Sequence, residues 1–319
     1  LEDAVSGAQI IKPASWHARR ATNIGSSEIA ALFGCQAPYQ MSHYTLYHVK
    51  AGLVPPPEVG GPRVEWGVRL EDAIAEGVAH TNGWSICKGE FSEDATCPGM
   101  SCTTDYEIIG GTQPEGFPAG PGVLEVKNID YAEWKRTWTN GEPPMHILLQ
   151  LQHQMACRGH EWGAIGGFIG GNTVRTYPYI ARPALHADIR RRIIAFWQSI
   201  REGKPPPVDG SDGAAHVLRT MFPEVDTEAL DLTSSNEWPE ACAEFLEAAA
   251  RKKAATADYD LARNRVESLL AGHGRAWGAG YSASVSVTPA KPDRPARVGE
   301  IVKGRAESRR LIIKEKADV

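Results

Sequence analysis

Apolar residues recur along this chain in two rhythms, every third or fourth position and every second, and the changes of rhythm mark out its elements. The segment "NIGSSEIAALFG" (23–34) turns helical, with Ser26 or Ser27 as N-cap, Ile29, Ala30, Leu32 and Phe33 as an apolar stripe, and Gly34 as a stop. A loop through "PYQMSHYTLYHVKAGLVPPPE" leads to "VEWGVRLEDAIAEGVAHTNG" (64–83). There Trp66, Leu70, Ile74 and Val78 recur at spacing four, which predicts an amphipathic helix ending at Gly83, with Glu71 beside the stripe. Short β patterns follow: "WSICKGEF", "MSCTTDYEII", the glycine- and proline-rich "GGTQPEGFPAGPG", and "VLEVKNI". The last two strands read as a hairpin with an enlarged loop. On the first of them Asp105 shares a face with Thr103 and Glu107.

"PPMHILLQLQHQMACRG" (143–159) has prolines suited to a helix entrance, a buried stripe of Leu148, Leu151 and Met155, and Gln150 and Gln154 one turn apart on a neighbouring face. Strand patterns "GAIGGFIGG" and "TVRTYPYIA" precede a helix from about 184 to 202, and "GKPPP" closes the first unit. The domain reading is therefore a core over 1–210, a linker over 211–235 and a helical extension with short strands over 236–319. In that extension, 237–274 is alanine-rich and helix-favouring, with apolar positions sparse enough for a hairpin arm or a partner-facing helix. "YSASVSVTP" and "RRLIIKEK" read as strands.

The central strand poses the chemical question. In "VLEVKNI" Leu124 and Val126 share one face while Glu125 and Lys127 share the other. A second Glu-x-Lys, Glu133 to Lys135, shows how cheap that signal is. The first copy differs in context, since its opposite face is apolar and it follows a strand carrying Asp105. Two carboxylates and a lysine on one sheet surface suit a hard divalent cation, because Mg2+ takes oxygen ligands, a few carboxylates plus waters and substrate phosphate. Lys127 would then orient or help deprotonate a metal-bound water. The alternative is a surface salt bridge on an edge strand. Glu71 could reach the same cation, and Gln150 could contact substrate or a metal water. Arg20, Ser26 and Ser27 near a helix N-terminus suit a phosphate, with ordinary capping as the alternative. His146, His153 and His160 recur every seven residues and read as surface or supporting residues.

Composition narrows the classes. With 42% hydrophobic and 23% charged residues the chain is of ordinary globular type, and its formal charge of −5 argues against coating nucleic acid by bulk charge. Local basic surfaces remain, in "RPALHADIRRR" (182–192) and in 291–319, where nine Lys/Arg face five Asp/Glu. The six cysteines form no CxxC pair and read as reduced, mostly core thiols. No run approaches the roughly 18–20 apolar residues of a membrane span, and the first residues lack the build of a signal peptide, so the expected compartment is the cytoplasm. No dinucleotide fingerprint, P-loop or GxSxG is present, which removes nucleotide hydrolysis and serine esterase chemistry.

Taken in order, "WHARR", "IGSSEIAALFG", "PY", "EWGVRLED", "SCTTDY", "LEVKN", "LLQLQHQM" and "FWQSIREGKPPP" resemble the YqaJ-like viral recombinase family, the lambda-exonuclease branch of the PD-(D/E)XK nucleases, over about residues 15–207. The resemblance implies an α/β (α+β) restriction-endonuclease-like core, a central mixed β-sheet flanked by helices. It implies a Mg2+-dependent deoxyribonuclease, with Mn2+ as substitute, that degrades one strand of double-stranded DNA from its 5′ end in homologous recombination. Alternatives with the same residues are a DNA endonuclease and an inert DNA-binding scaffold. By position, Asp105 and Glu125 match the family's metal ligands, the Val126 carbonyl a third, Lys127 the catalytic lysine and Glu71 the helix glutamate near the metals. Arg20, Ser27 and Gln150 match positions that hold the 5′-phosphate or organise the site, and Thr103 stands where a serine often does. Family members form ring-shaped trimers, which implies a homo-oligomer, and work with a single-strand annealing protein. Two departures stand out: Tyr106 follows Asp105 where glycine is usual, and the loop 109–122 is long.

Overall fold

The computed structural model describes residues 14–57, 60–224 and 228–290, and beyond them the strand segments 294–295, 301–302 and 308–315. The chain divides into two compact units, Leu1–Val225 and Asp226–Val319.

In the first unit the expected helices and strands form around a mixed sheet. α1 (Ala14–Ala21), α2 (Ile29–Leu32), α3 (His43–Lys50) and α4 (Pro62–Asn82) precede β1 (Trp84–Lys88), β2 (Phe91–Glu93), β3 (Ser101–Thr103), β4 (Tyr106–Gly111) and β5 (Gly122–Ile129). Then come α5 (Tyr131–Thr137), α6 (Met145–Arg158), β6 (Trp162–Ile169), β7 (Thr173–Ile180), α7 (Pro183–Arg201) and α8 (Asp212–Met221). Five strands run in the order β1-β4-β5-β6-β7, with β5 and β6 parallel and the other neighbours antiparallel. The Glu125 strand is therefore central, which removes the edge-strand alternative.

Both faces of β5 are covered. On one, Leu124 and Val126 pack with Ile74, Ala75 and Val78 of α4; on the other, Val123 and Ile129 pack with Ile147, Leu151 and Met155 of α6. The glycines of β6 let α4 come close: a Cβ on Gly166 would stand 2.7 Å from Val78 Cγ2. α4 stops at Gly83, whose φ of 67° suits glycine as a left-handed cap.

Four expectations change. The stretch read as a loop after Pro38 contains α3, because Ser42 caps it through Thr45 N and Tyr44, Leu46 and Tyr47 are buried. "MSCTTDYEII" is not one strand: β3 pairs with β2, whereas β4 pairs with β1 and β5, and Thr104 and Asp105 form the break. Asp105 thus lies off the ladder that carries Glu107. Within the stretch read as a linker, α8 forms and buries Ala214 and Val217 against Tyr44 and Val54. α2 is shorter than expected, with Glu28 rather than a serine as its N-cap residue.

The second unit holds α9 (Glu237–Leu270), one continuous helix rather than a helical hairpin. β8 (Arg275–Gly278), β9 (Tyr281–Thr288), β10 (Arg294–Pro295), β11 (Ile301–Val302) and β12 (Ser308–Glu315) follow, with β12, β9 and β8 in one antiparallel sheet and β10 paired to β11. Among the described residues no helix is long and apolar enough to cross a membrane. All six cysteines are free; Cys97 and Cys102 are buried and Cys87 is exposed.

Candidate active site at the split between two strands

β4 and β5 part company at Asp105. Their last paired residues toward the break are Tyr106 and Leu124, and beyond them the Asp105 carboxylate takes over the role of a ladder carbonyl: its Oδ2 accepts from Val126 N at 2.8 Å. The Asp105 carbonyl in turn accepts from Gly89 N at 3.0 Å, which fixes the bend. Because the N–H and C=O of one strand residue point to the same side, the Val126 carbonyl faces the same gap.

Glu125 lies on the α6 face of β5 and is 1% exposed. A buried carboxylate needs donors, and three supply them. Gln150 Nε2 donates to its Oε1 and Gln154 Nε2 to its Oε2, each at 2.6 Å, while Lys127 Nζ donates to Oε1 at 2.5 Å and to Gln150 Oε1 at 3.3 Å. Gln154 also donates to the Thr103 carbonyl at 3.4 Å, tying β3 to the same helix. Thr103 thus joins the site through its backbone.

The electrostatics are those of acids crowded without a full counter-charge. Burial and then the Glu125 carboxylate push the Asp105 carboxyl well above the usual carboxylate range, with Glu71 adding to the push and Lys127 opposing it. Burial would lower the Lys127 ammonium, but Glu125 and Asp105 outweigh it and raise it above the ordinary lysine value. Charges from both faces of the sheet therefore meet at the split, Glu125 and Lys127 from the α6 side and Glu71 from α4.

Glu71 has a partner of its own. Its Oε1 pairs with Lys88 Nζ at 2.7 Å, Lys88 also pairs with Asp72 Oδ1 at 2.6 Å, and the Tyr106 hydroxyl donates to the same Asp72 oxygen at 2.6 Å. Among the described residues no three His, Cys, Asp or Glu side chains gather as an all-protein metal cage. The donor set nonetheless fits Mg2+, which is usually bound by one or two carboxylates and keeps several waters. Asp105 Oδ1 has no hydrogen bond among the described residues, the Val126 carbonyl faces the gap, and the raised Asp105 carboxyl marks a place where a cation would relieve repulsion.

Arg20 and Ser27 form a second cluster. Arg20 Nη2 donates to Ser27 Oγ at 3.3 Å and pairs with Glu28 Oε1 at 2.8 Å. Glu28 also pairs with the buried Lys50 at 2.9 Å and accepts from Gly25 N at 2.8 Å. This reach from Glu28 back to Gly25 closes the turn that leads into α2. Gln40 Nε2 donates to the Ser27 carbonyl at 3.2 Å, which ties the loop around residue 40 to this cluster. The exposed Tyr39 hydroxyl lies 3.4 Å from His146 Nε2.

Sequence reasoning missed Gln154 as a Glu125 donor, although its position one turn from Gln150 was visible. It missed Lys88 and Lys50, which carry no motif, and Asp72 and Glu28, which lie inside "EWGVRLED" and "IGSSEIAALFG". Of the two readings of His153 the surface one is excluded, since the residue is fully buried with Nε2 2.8 Å from the Ser101 carbonyl. The decoy Glu133 sits on α5 and pairs with Arg136.

Residues 15–161 match the model of the YqaJ-like viral recombinase domain. All the proposed site residues from Arg20 to Gln150, and Gln154, lie inside this YqaJ-like segment. No curated protein matches the chain. Among solved structures, an alkaline exonuclease from Laribacter hongkongensis is 19% identical, with 60% of this chain and 94% of that chain covered at a TM-score of 0.49. A phage-related exonuclease from Haemophilus somnus 129PT is 12% identical, covering 56% and 94% at 0.41. A putative exonuclease from Eubacterium rectale is 8% identical, covering 72% and 99% at 0.41. These three TM-scores all lie below 0.5.

Proposed function

We propose that the chain is a Mg2+-dependent deoxyribonuclease that hydrolyses phosphodiester bonds of double-stranded DNA, acting from 5′ ends toward 3′. The observation that carries this reading is the buried Glu125 on the central strand, joined to Lys127 and next to the split that holds Asp105. Asp105, Glu125 and the Val126 carbonyl would hold the cation, with Glu71 in reserve. When bound, Mg2+ supplies Lewis-acid polarisation of a phosphoryl oxygen and lowers the pKa of its water. Lys127, kept as an ammonium by its carboxylate neighbours, is a fixed donor for the attacking water or a phosphate oxygen. Gln150 and Gln154 keep Glu125 in one rotamer and exclude water from behind it. Arg20 with Ser27 offers a charge-assisted seat for a terminal 5′-phosphate.

A setting in homologous recombination, a ring-shaped homotrimer and a single-strand annealing partner belong to the same proposal, and the match to a viral recombinase domain supports the first of them. End-labelled linear duplex and covalently closed circular DNA, each with Mg2+ or EDTA, test it. Loss of linear DNA alone, and only with Mg2+, is expected. Cleavage of the circle would convert the reading to an endonuclease, and inertness toward both with Mg2+ and with Mn2+ would leave a DNA-binding scaffold.

A further inference from the structure

The residues around Glu71 have a use of their own. Lys88, at the end of β1, is shared between two consecutive carboxylates of α4, Glu71 at 2.7 Å and Asp72 at 2.6 Å. Its ammonium also stands 4.5 Å from the centre of the Tyr106 ring. Tyr106 faces Lys88 across the β1–β4 ladder, and its hydroxyl fixes Asp72. The two carboxylates differ in what else they meet: Glu71 is half-buried and its charge acts on Asp105, whereas Asp72 is exposed and held by Tyr106.

An ammonium bound to a single carboxylate loses its partner when that carboxylate leaves. An ammonium bound to two does not. We propose that Lys88 is a positioning residue that holds Glu71 away from Asp105 and Glu125 in the cation-free protein and releases it when a divalent cation enters, keeping Asp72 and the Tyr106 ring as its remaining seat. The inference rests on the cation-site reading given above. It assigns a purpose to the large residue after Asp105: Tyr106 anchors the carboxylate that keeps Lys88 paired after Glu71 has moved. Small residues at that position would leave Asp72 without its hydroxyl donor.

Calorimetric titration of the full chain with Mn2+ alone tests the handover without any catalytic readout. Lys88→Met removes the competitor for Glu71 and a nearby positive charge, and is expected to tighten Mn2+ binding about threefold to tenfold. Lys88 is largely exposed, so the substitution leaves the core intact. Bulk charge alone would produce tightening of the same size whether or not Glu71 is present. A double-mutant cycle separates the two: in a Glu71→Gln background, Lys88→Met is expected to change Mn2+ affinity by less than about twofold. Unchanged or weaker binding in Lys88→Met overturns the proposal, as does equal tightening in both backgrounds. Glu125→Gln serves as the control for the site itself. If wild-type protein binds Mn2+ and Glu125→Gln does not, the cation site stands whatever Lys88 does; if both bind alike, the site reading fails and the handover fails with it.

Discussion

Replacing Lys50 by Met removes the ammonium that the Arg20 cluster is built around. The Lys50 side chain is 4% exposed and the Glu28 side chain 8%, so solvent screens their pairing little. Lys50 also donates to the carbonyls of Arg20 at 2.7 Å and Asn23 at 2.8 Å, and the substitution leaves both without that donor. Breaking a buried ion pair by deleting one partner costs roughly 3–5 kcal/mol. Arg20 stays 2.8 Å from Glu28 and continues to compensate it, which points to the lower end, about 3 kcal/mol. For a unit the size of Leu1–Val225 this corresponds to a fall in Tm of about 6–12 °C. Urea denaturation followed by far-UV circular dichroism measures it. Glu28→Gln in the same background should be strongly non-additive, by about 1–3 kcal/mol, because the two side chains share one contact. A Lys50→Met protein within about 0.5 kcal/mol of wild type, or strict additivity with Glu28→Gln, would refute the reasoning.

Gln154→Leu takes the donor from Glu125 Oε2 in a buried site, and a loss of about 1–3 kcal/mol in urea denaturation is expected; a neutral result would mean that water replaces the amide. Gly166→Ala drives a methyl into Val78 and should destabilise by about 1–3 kcal/mol, relieved in part by Val78→Ala, as thermal unfolding of the three variants would show. Burial holds His153 at about 4 against an ordinary 6.5, and burial with the Arg190 charge holds His186 at about 4. Folding therefore favours their neutral forms: stability is full above pH 6.5 and falls as pH drops toward 4, by up to about 3 kcal/mol for each histidine. Glu28 adds to the fall at still lower pH. Burial raises its carboxyl, but Lys50 and Arg20 together hold it below the usual range, so its contribution is present above the unfolded value of 4.5 and lost as pH falls through the folded one. A urea midpoint that stays flat from pH 7 to pH 4 would contradict the histidine assignment.

Much of this architecture is legible in the residues because local and global preferences agree. The spacing of Trp66, Leu70, Ile74 and Val78 with Gly83 behind it marks α4, and the alternation in "VLEVKNI" marks both faces of β5. Glu125, Lys127 and Gln150 could be named because strand period and helix period each fix a face, whereas the period that placed Asp105 beside Glu107 runs through a break in the chain. What stayed hidden depends on tertiary placement. Nothing in "SCTTDY" says that a strand ends at Thr103 and another begins at Tyr106 in a different sheet, although that break is what turns the Asp105 carboxylate toward Val126. His153 repeats at seven-residue spacing with two partly exposed histidines, yet only the packing of α6 on two sides buries it. Lys88 and Lys50 carry no pattern at all, since a lysine's partner is decided by whichever carboxylate the fold brings within reach. α3 was obscured by β-branched and aromatic residues of modest helix propensity, and its burial overrides that preference.

Single-turnover cleavage of a 5′-phosphorylated linear duplex with Mg2+, comparing wild type with Asp105→Asn and Lys127→Met, bears most directly on the proposed chemistry. Wild-type protein should release nucleotides from the 5′ end, and each variant should be slower by about 10²–10³-fold or more while still folding, as fits the loss of a group that stabilises developing charge. Wild-type rates in both variants would contradict the assignment of Asp105 and Lys127 to the reaction.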